Sequence, residues 1–283
     1  MRTEVYRPHR AHGARYAEAE TTMSIIRMPA VAGIFYSDNA HILGIQVRDF
    51  LGHAHSSGPY PKAIIAPHAG YIYSGPIAAS AYARIQPYAQ NIKRVILLGP
   101  SHRVRLRGLA VPSVDFFATP LGHIALDLTA LKLLSGLPLV TVSDQAHAQE
   151  HSLEVHLPFL QEILGEFTLV PLVVGEAAPY EVAPVLDRLW GGDETLLVIS
   201  SDLSHYHHYA TAQRLDAATS QVIEQLRCED LTSEAACGAN PIGGLLYVAR
   251  ERGLHAYAID VRNSGDTAGP HDRVVGYGAY AVN

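Results

Sequence analysis

The sequence predicts an α/β fold, a single domain in which a largely parallel or mixed sheet is flanked by helices. Its 283 residues are 48% hydrophobic and 17% charged, an ordinary composition for a folded globular protein. Short β-branched runs alternate along the chain with longer segments of helical period. That alternation is typical of strands that are joined by helices within one sheet.

Six segments have the short, apolar and β-branched character of strands. They are residues 62–66, 94–98, 167–174, 195–200, 255–261 and 273–282. Five longer segments have the helical period, at residues 75–84, 150–164, 179–189, 209–226 and 241–252. The second of these has one apolar stripe, made of Leu153, Leu157, Leu160 and Leu164. Pro158 interrupts this segment, so a kink or an early end of the helix is expected.

Residues 23–283 are expected to form one domain, because no linker, internal repeat or low-complexity tract divides them. Residues 1–22 contain four arginines and no apolar stretch, which does not fit a secretory signal. We expect this segment to be a flexible N-terminal extension.

Charge and cysteine content narrow the expected partners and location. The formal net charge is −6 and the 21 Lys and Arg are scattered, which argues against a nucleic-acid partner. No run approaches the roughly 18 apolar residues of a membrane-spanning helix, so a membrane partner is not expected. The two cysteines, Cys228 and Cys237, lack the CxxC spacing and fit neither a disulfide framework nor a zinc ribbon. The sequence therefore predicts a cytoplasmic protein.

Three predicted strands are followed closely by a histidine, in "KAIIAPH", "RVILLGPSH" and "TLLVISSDLSH". The carboxyl ends of parallel strands meet at one edge of a sheet, where α/β proteins bind ligands. His68, His102 and His205 are therefore expected to converge on one pocket, as metal ligands or as acid–base groups. A histidine that merely tolerates a loop explains any one of these positions, but three repetitions favour a site.

Other residues near these strand ends have two interpretations each. Asp202 either orients an imidazole or supplies an oxygen ligand, and otherwise caps a turn before the helix near Tyr209. Cys237 precedes a predicted helix, where the positive end of the helix dipole favours a thiolate, and otherwise it is a small buried hydrophobe. Tyr71 either lines the pocket or packs outside it.

Seven motifs together resemble the Memo family, known in prokaryotes as protein B of the AmmeMemoRadiSam system. In chain order they are "MPAVAGIFY", "APHAGYIYSG", "LLGPSH", "TPLGHIALD", "EHSLEVHLPFL", "SSDLSHY" and "CGANPIGGLL". The resemblance runs from about Arg27 to the C-terminus. Blocks of this length are too long to agree by chance. It implies an α/β domain related to the class III extradiol dioxygenases, non-haem iron enzymes that open catechol rings.

The resemblance also implies roles for individual residues. The metal ligands would be His68, His102 and Cys237, and His205 would match the acid–base histidine of the dioxygenases, with Asp202 beside the metal. Glu150 and His151 open a predicted helix, where capping is the simpler role, but the resemblance puts them near the pocket. With Tyr71, they are expected to support the ligands or contact the substrate.

One implied ligand departs from the dioxygenase pattern. Those enzymes complete a two-histidine site with a carboxylate, whereas Cys237 would supply a softer, oxidisable thiolate. Iron is the expected metal, with copper and zinc as alternatives. The expected function is a metal-dependent oxidoreductase acting on a small aromatic or unknown substrate. The alternatives are a non-catalytic protein that binds a small-molecule or peptide ligand or handles metal, and a partner component of a radical-enzyme modification system.

Overall fold

The computed structural model describes residues 24–55 and 57–283, so the predicted N-terminal extension, residues 1–22, lies outside the described residues. The described strands are β1 (Ile26–Arg27), β2 (Ala63–Ala66), β3 (Arg94–Pro100), β4 (Leu109–Val111), β5 (Phe116–Thr119), β6 (Gly122–Ala125), β7 (Val140–Val142), β8 (Thr168–Val174), β9 (Thr195–Ser200), β10 (Asp202–His207), β11 (Ala256–Asn263) and β12 (Val274–Val282). The described α-helices are α1 (Ala40–His53), α2 (Tyr71–Tyr82), α3 (Leu128–Leu133), α4 (Asp144–Ala148), α5 (Leu157–Leu164), α6 (Pro179–Leu189), α7 (Tyr209–Glu224) and α8 (Ala239–Glu251).

A mixed sheet of nine strands runs through the centre of this part of the chain, in the order β10-β12-β2-β9-β3-β8-β4-β7, with β11 paired to β12. The four central strands β2, β9, β3 and β8 are parallel to one another. β12 pairs antiparallel with β2, β10 and β11. A smaller sheet has the order β1-β5-β6. The predicted α/β class and mixed sheet are confirmed.

The central strands are apolar on both faces because helices cover both sides of the sheet. In β2, Ile64 belongs to one core cluster and Ile65 to the other, as expected when successive side chains point to opposite faces. Buried residues of α1, α2 and α5 pack in the first cluster, and buried residues of α6 and α8 in the second. The two apolar layers hold the strand ends, and hence the loops that follow them, in fixed relative positions.

All six predicted strands are present, with ends that differ from the prediction by two residues at most. Four of the five predicted helices are present as α2, α6, α7 and α8, although α2 begins four residues earlier than predicted. The prediction of one helix over residues 150–164 is wrong in its first half. A 3-10 turn, Glu154–His156, leads into α5, and Pro158 lies in the first turn of that helix. Proline is tolerated there because the first N–H groups of a helix have no intrahelical acceptor.

None of the described helices is long and apolar enough to cross a bilayer.

Candidate metal centre

Three adjacent parallel strands end at one edge of the sheet and deliver the predicted residues together. His68 follows β2, His102 follows β3, and Asp202 comes two residues after the last residue of β9. A cavity of about 790 Å³ lies at this edge, and its lining includes His68, His102, His151, Asp202, His205 and Cys237. Its volume is in the range of small-molecule sites.

The tautomer of His68 is determined by a serine on the neighbouring strand. The Oγ of Ser200 lies 2.6 Å from the Nδ1 of His68 and donates its own proton to the carbonyl of Ser152, also at 2.6 Å. Since a hydroxyl has one proton, Ser200 must accept from Nδ1–H of His68. The Nε2 of His68 is left without a proton, and an imidazole binds a metal ion through the lone pair of such a nitrogen.

His102 is held in the same tautomer by a buried carboxylate. Its backbone N–H donates to Glu150 Oε2 at 2.6 Å, and its Nδ1–H donates to Oε1 at 2.9 Å. Burial alone would raise the pKa of Glu150, but the hydrogen bonds from His102 and from the backbone of Ser152 lower it to about 2. The carboxylate is therefore ionised, a pure acceptor, and it directs the Nδ1 proton of His102 toward itself, so Nε2 is the nitrogen that faces away from Glu150 and can bind a metal.

The absence of a side chain at Gly99 brings this support close to β3. A Cβ at Gly99 would lie 2.8 Å from the Oγ of Ser152 and 2.9 Å from Leu153 Cδ2. Ser152 Oγ donates to the carbonyl of Pro100 at 2.9 Å. Glycine at this position lets the segment that carries Glu150 pack directly against the strand that delivers His102.

His151 completes a cluster of three imidazoles with His68 and His102. One possible ligand atom from each of the three lies within 4.8 Å of those of the other two. The rings of His102 and His151 stack with centroids 4.8 Å apart. Burial lowers the pKa of His151 to about 4, and burial followed by the neighbouring imidazoles lowers the pKa of His68 well below its usual value. Both rings are therefore neutral at pH 7, as metal ligation requires.

This donor set fits a transition metal. Among the described residues, the buried Nδ1 of His151 has no hydrogen-bond partner, and the nearby Glu150 Oε1 is 3.5 Å away, which is costly unless another group satisfies the ring nitrogen. Imidazole donors suit zinc, copper, iron and nickel. The cavity can therefore hold a transition metal.

Cys237 lies beside the histidine cluster, just before α8. Its Sγ is 3.4 Å from the Nε2 of His68 and accepts from the backbone N–H of Asp202 at 3.3 Å. Burial raises the pKa of the Cys237 thiol to about 12, so the thiol carries its proton unless a cation in the cavity lowers that pKa. A Cβ at Gly238 would lie 2.5 Å from the carbonyl oxygen of Ser200, so this glycine allows Cys237 to approach the end of β9. The assignment of Cys237 as a ligand stays a prediction.

Asp202 supports His68 instead of His205. Its Oδ1 accepts from the backbone N–H of His68 at 2.8 Å, and its Oδ2 lies 4.0 Å from His68 Nε2. Burial raises the pKa of Asp202 to about 7, although the hydrogen bond from His68 opposes that shift. Among the side-chain hydrogen bonds of residues 24–55 and 57–283, none joins Asp202 to His205.

An irregular stretch of β10 turns His205 toward the cavity. His205, Tyr206 and His207 all line it, although successive residues of a regular strand face opposite sides. Register shifts flank His205 in the pairing with β12, and Tyr206 has a φ of 62°, in the left-handed region. Bulges of this kind often re-aim a side chain next to a functional site. Burial lowers the pKa of His205, so its ring is a neutral proton acceptor at pH 7.

Tyr71 lies outside the cavity lining. Its ring is 2% exposed and packs against Tyr36 and Phe159, and its hydroxyl donates to the carbonyl of Val155 at 2.7 Å. Of the two interpretations, the geometry therefore favours packing. Glu150 does not line the cavity either, and it affects the cavity through its hydrogen bonds to His102.

A family model and the curated relatives of this chain indicate one family. A family model described as Memo-like protein matches residues 27–281. The chain is 36% identical over 264 residues to a "MEMO1 family protein" of Aquifex aeolicus, covering 89% of this chain and 97% of that one. It is 37% identical over 288 residues to one from Aeropyrum pernix, covering 91% and 99%. For one from Saccharolobus solfataricus, the identity is 33% over 277 residues, covering 89% and 97%.

Proposed function

The chain belongs to the Memo-like protein family, and from this premise we propose that it is a dioxygenase-like oxidoreductase that uses a bound transition metal to oxidise a small aromatic substrate. The observation that carries the proposal is the cluster of His68, His102 and His151 at the strand ends. Iron is the proposed metal, with copper or zinc as alternatives. The cytoplasm is the proposed location, and components of the AmmeMemoRadiSam system are proposed partners.

The residues of the cavity have distinct proposed roles. His68 and His102 hold the metal through the lone pairs of Nε2, which Ser200 and Glu150 keep free. Cys237 or His151 provides the third ligand. A non-haem iron with open coordination positions would supply activation of dioxygen and of an electron-rich ring. His205, neutral and partly buried at the cavity wall, accepts a proton from a substrate hydroxyl and returns it later in the reaction.

A second candidate function is supported by the position of Cys237. Its sulfur lies 3.4 Å from His68 Nε2, so one thiolate and three imidazoles together offer four donors. A tetrahedral zinc ion with four protein ligands has no open position and is stored or structural. The cavity would then bind a small molecule or a peptide without turnover.

Metal and oxygen measurements separate the two functions. Protein reconstituted anaerobically with iron should contain about one metal per chain, and it should consume oxygen when catechols are added, because the reaction needs an open coordination position. Replacement His205→Ala should leave the metal content unchanged and reduce oxygen uptake by roughly 100-fold or more. His208→Ala is the matched control, since His208 is exposed and outside the cavity lining. Full metal occupancy without any oxygen uptake would favour the binding protein, and a protein that takes up no iron, copper or zinc would refute both.

Single substitutions of the third and fourth donors identify the ligand set. If Cys237 is the third ligand, Cys237→Ala should lower the metal affinity while His151→Ala leaves it within a few-fold. The reverse pattern would assign His151. Equilibrium competition with a chromophoric chelator measures both. An unchanged affinity in both variants would contradict a site built on this cluster.

A further inference from the structure

A second, apolar groove lies next to the metal cavity. It has a volume of about 430 Å³ and lies between α7 and the segment of residues 230–235. Leu215, Ala218, Thr219 and Val222 of α7 form its floor. Their spacing of three, four and seven residues puts them on one face of the helix.

This face of α7 is incompletely covered by the described residues. Leu215 is 40% exposed and Ala218 is also exposed. Apolar helix faces of this spacing normally pack against a partner, because removing their surface from water is favourable. Binding of an apolar group in the groove is therefore favourable, because it removes this surface from water.

The position of the groove indicates what that occupant is. His207 and Glu234 line both the metal cavity and the groove, so the two spaces adjoin at these side chains. The charged side chains that line the groove, Asp230 and Glu234, are both carboxylates. They disfavour an anionic chain, and the apolar face of Leu215, Ala218 and Val222 disfavours a charge of either sign on a chain that lies against it, so a neutral alkyl chain fits this face.

We propose that the groove binds a neutral alkyl arm of the ligand whose head group occupies the metal cavity. The inference rests on the proposed function, which supplies the head group, and narrows the substrate class to alkyl-substituted catechols or related phenols. The head group is held by the histidine cavity, and the arm passes His207 and Glu234 to lie on Leu215, Ala218 and Val222.

Binding of a homologous series tests the arm. Iron-loaded protein is titrated anaerobically by calorimetry with catechol and with 4-ethyl, 4-butyl and 4-hexylcatechol. Because the groove removes the arm from water, the Kd is expected to fall about three- to fourfold for each buried methylene.

Replacement Ala218→Trp fills the groove and should abolish this dependence while leaving the iron content and the Kd of unsubstituted catechol within twofold. Ala217→Trp is the matched control, since Ala217 is also exposed on α7 but lines a different groove, and it should keep the wild-type dependence.

The outcomes distinguish the arm from the chemistry. A Kd that is independent of chain length overturns the arm and leaves the proposed function standing. A neutral apolar dye, N-phenyl-1-naphthylamine, is titrated into metal-free protein as a test that needs no catechol. Dye binding that Ala218→Trp abolishes and Ala217→Trp preserves supports the groove even if no catechol binds, a result that would count against the proposed function alone. A wild-type dimer that Ala218→Trp converts to a monomer identifies a second copy as the occupant and overturns the arm.

Discussion

Two hydrogen-bond acceptors decide which ring nitrogen each strand-end histidine offers to the cavity. Ser200 accepts from Nδ1 of His68, and Glu150 accepts from Nδ1 of His102. In both rings this leaves Nε2 as the nitrogen that can bind a metal. Such acceptors behind metal-binding histidines fix the tautomer and the ring orientation.

Removal of the serine acceptor should weaken metal binding without unfolding the protein. In Ser200→Ala, His68 can adopt either tautomer and its ring is less firmly held. We expect the metal Kd to rise about 10- to 100-fold, the usual effect of removing such a partner. Competition with a chromophoric chelator measures the Kd, and nitrogen-15 spectra of metal-free protein report the tautomer.

A second buried serine provides the control for this substitution. Ser220 Oγ bonds to the carbonyl of Asp216 and to the hydroxyl of Tyr280, away from the cavity. Ser220→Ala should lower stability and leave the metal Kd unchanged. Equal metal affinities in Ser200→Ala and wild type would mean that Ser200 does not position His68.

The sequence indicates some of these residues much better than others. His68, His102, His205 and Asp202 can be predicted because each follows a recognisable apolar strand, and position after a strand determines which edge a residue occupies. Ser200 cannot be separated from Ser201 in "SSDLSH" by residue type. The distinction depends on pairing and packing, which put the hydroxyl of Ser200 against His68 and that of Ser201 near Cys237.

Helical periodicity predicts the wrong structure for the segment between α4 and α5. Its leucines repeat at helical spacing, yet residues 150–153 are not helical, because Glu150 and Ser152 bond to the end of β3. α1 and β10 are among the elements that were not predicted, each for its own reason. In α1, exposed Ile42 and Ile45 blur the stripe of buried Leu43, Val47 and Leu51. β10 pairs with β12, which lies far away in sequence.

A buried ion pair ties the 150–156 segment to β1. Arg27 pairs with Glu154 through Nη1, and also donates to the carbonyls of His147 and Glu150 at 3.1 and 2.7 Å. Glu154 also accepts from the backbone N–H groups of Ala30 and Val31 and from the hydroxyl of Tyr36. The network holds the backbone that carries Glu150 and His151 against the rest of the domain.

Replacement Glu154→Gln should destabilise the protein strongly. It leaves the buried guanidinium of Arg27 without its counter-charge, which typically costs about 3–5 kcal/mol in the free energy of unfolding. Glu162→Gln is the matched control, because Glu162 pairs with an exposed Arg48 and such pairs contribute about 0–1 kcal/mol. Urea unfolding of metal-free protein measures both. Similar losses in the two variants would contradict a structural role for the buried pair.

The parallel centre of the sheet explains why residues from distant parts of the chain meet. β2, β9 and β3 are adjacent and parallel, so their loops emerge on one edge. The cost of this arrangement is a set of imidazoles buried in the neutral form. Besides the cavity histidines, burial lowers the pKa of His147 to about 4 and that of His156 to about 3.

Buried neutral histidines make the fold sensitive to acid. The ordinary pKa of 6.5 applies to His156 in the unfolded chain, against about 3 in the folded protein. Between about pH 3 and pH 6.5, the unfolded state binds a proton at His156 that the folded state does not bind. The free energy of unfolding therefore falls as the pH falls. Above about pH 6.5 the ring is neutral in both states and contributes no pH dependence.

Replacement His156→Gln isolates this effect. The variant loses the bond between the His156 ring and the hydroxyl of Tyr82, so it should be less stable than wild type at pH 7.5. Below about pH 6 its disadvantage should shrink by about 1.4 kcal/mol for each pH unit, the contribution of one proton bound only by the unfolded state. Burial raises the pKa of Asp202 to about 7 and that of Asp216 to about 6, which has the opposite effect on stability. Both groups are present in both proteins, so their effect cancels in the difference.

Urea unfolding between pH 4.5 and 7.5, with chelator present so that metal does not contribute, gives the two curves. His53→Gln, in which the replaced side chain is 81% exposed, should run parallel to wild type at every pH, and a parallel curve for His156→Gln as well would show that His156 is not held neutral by burial.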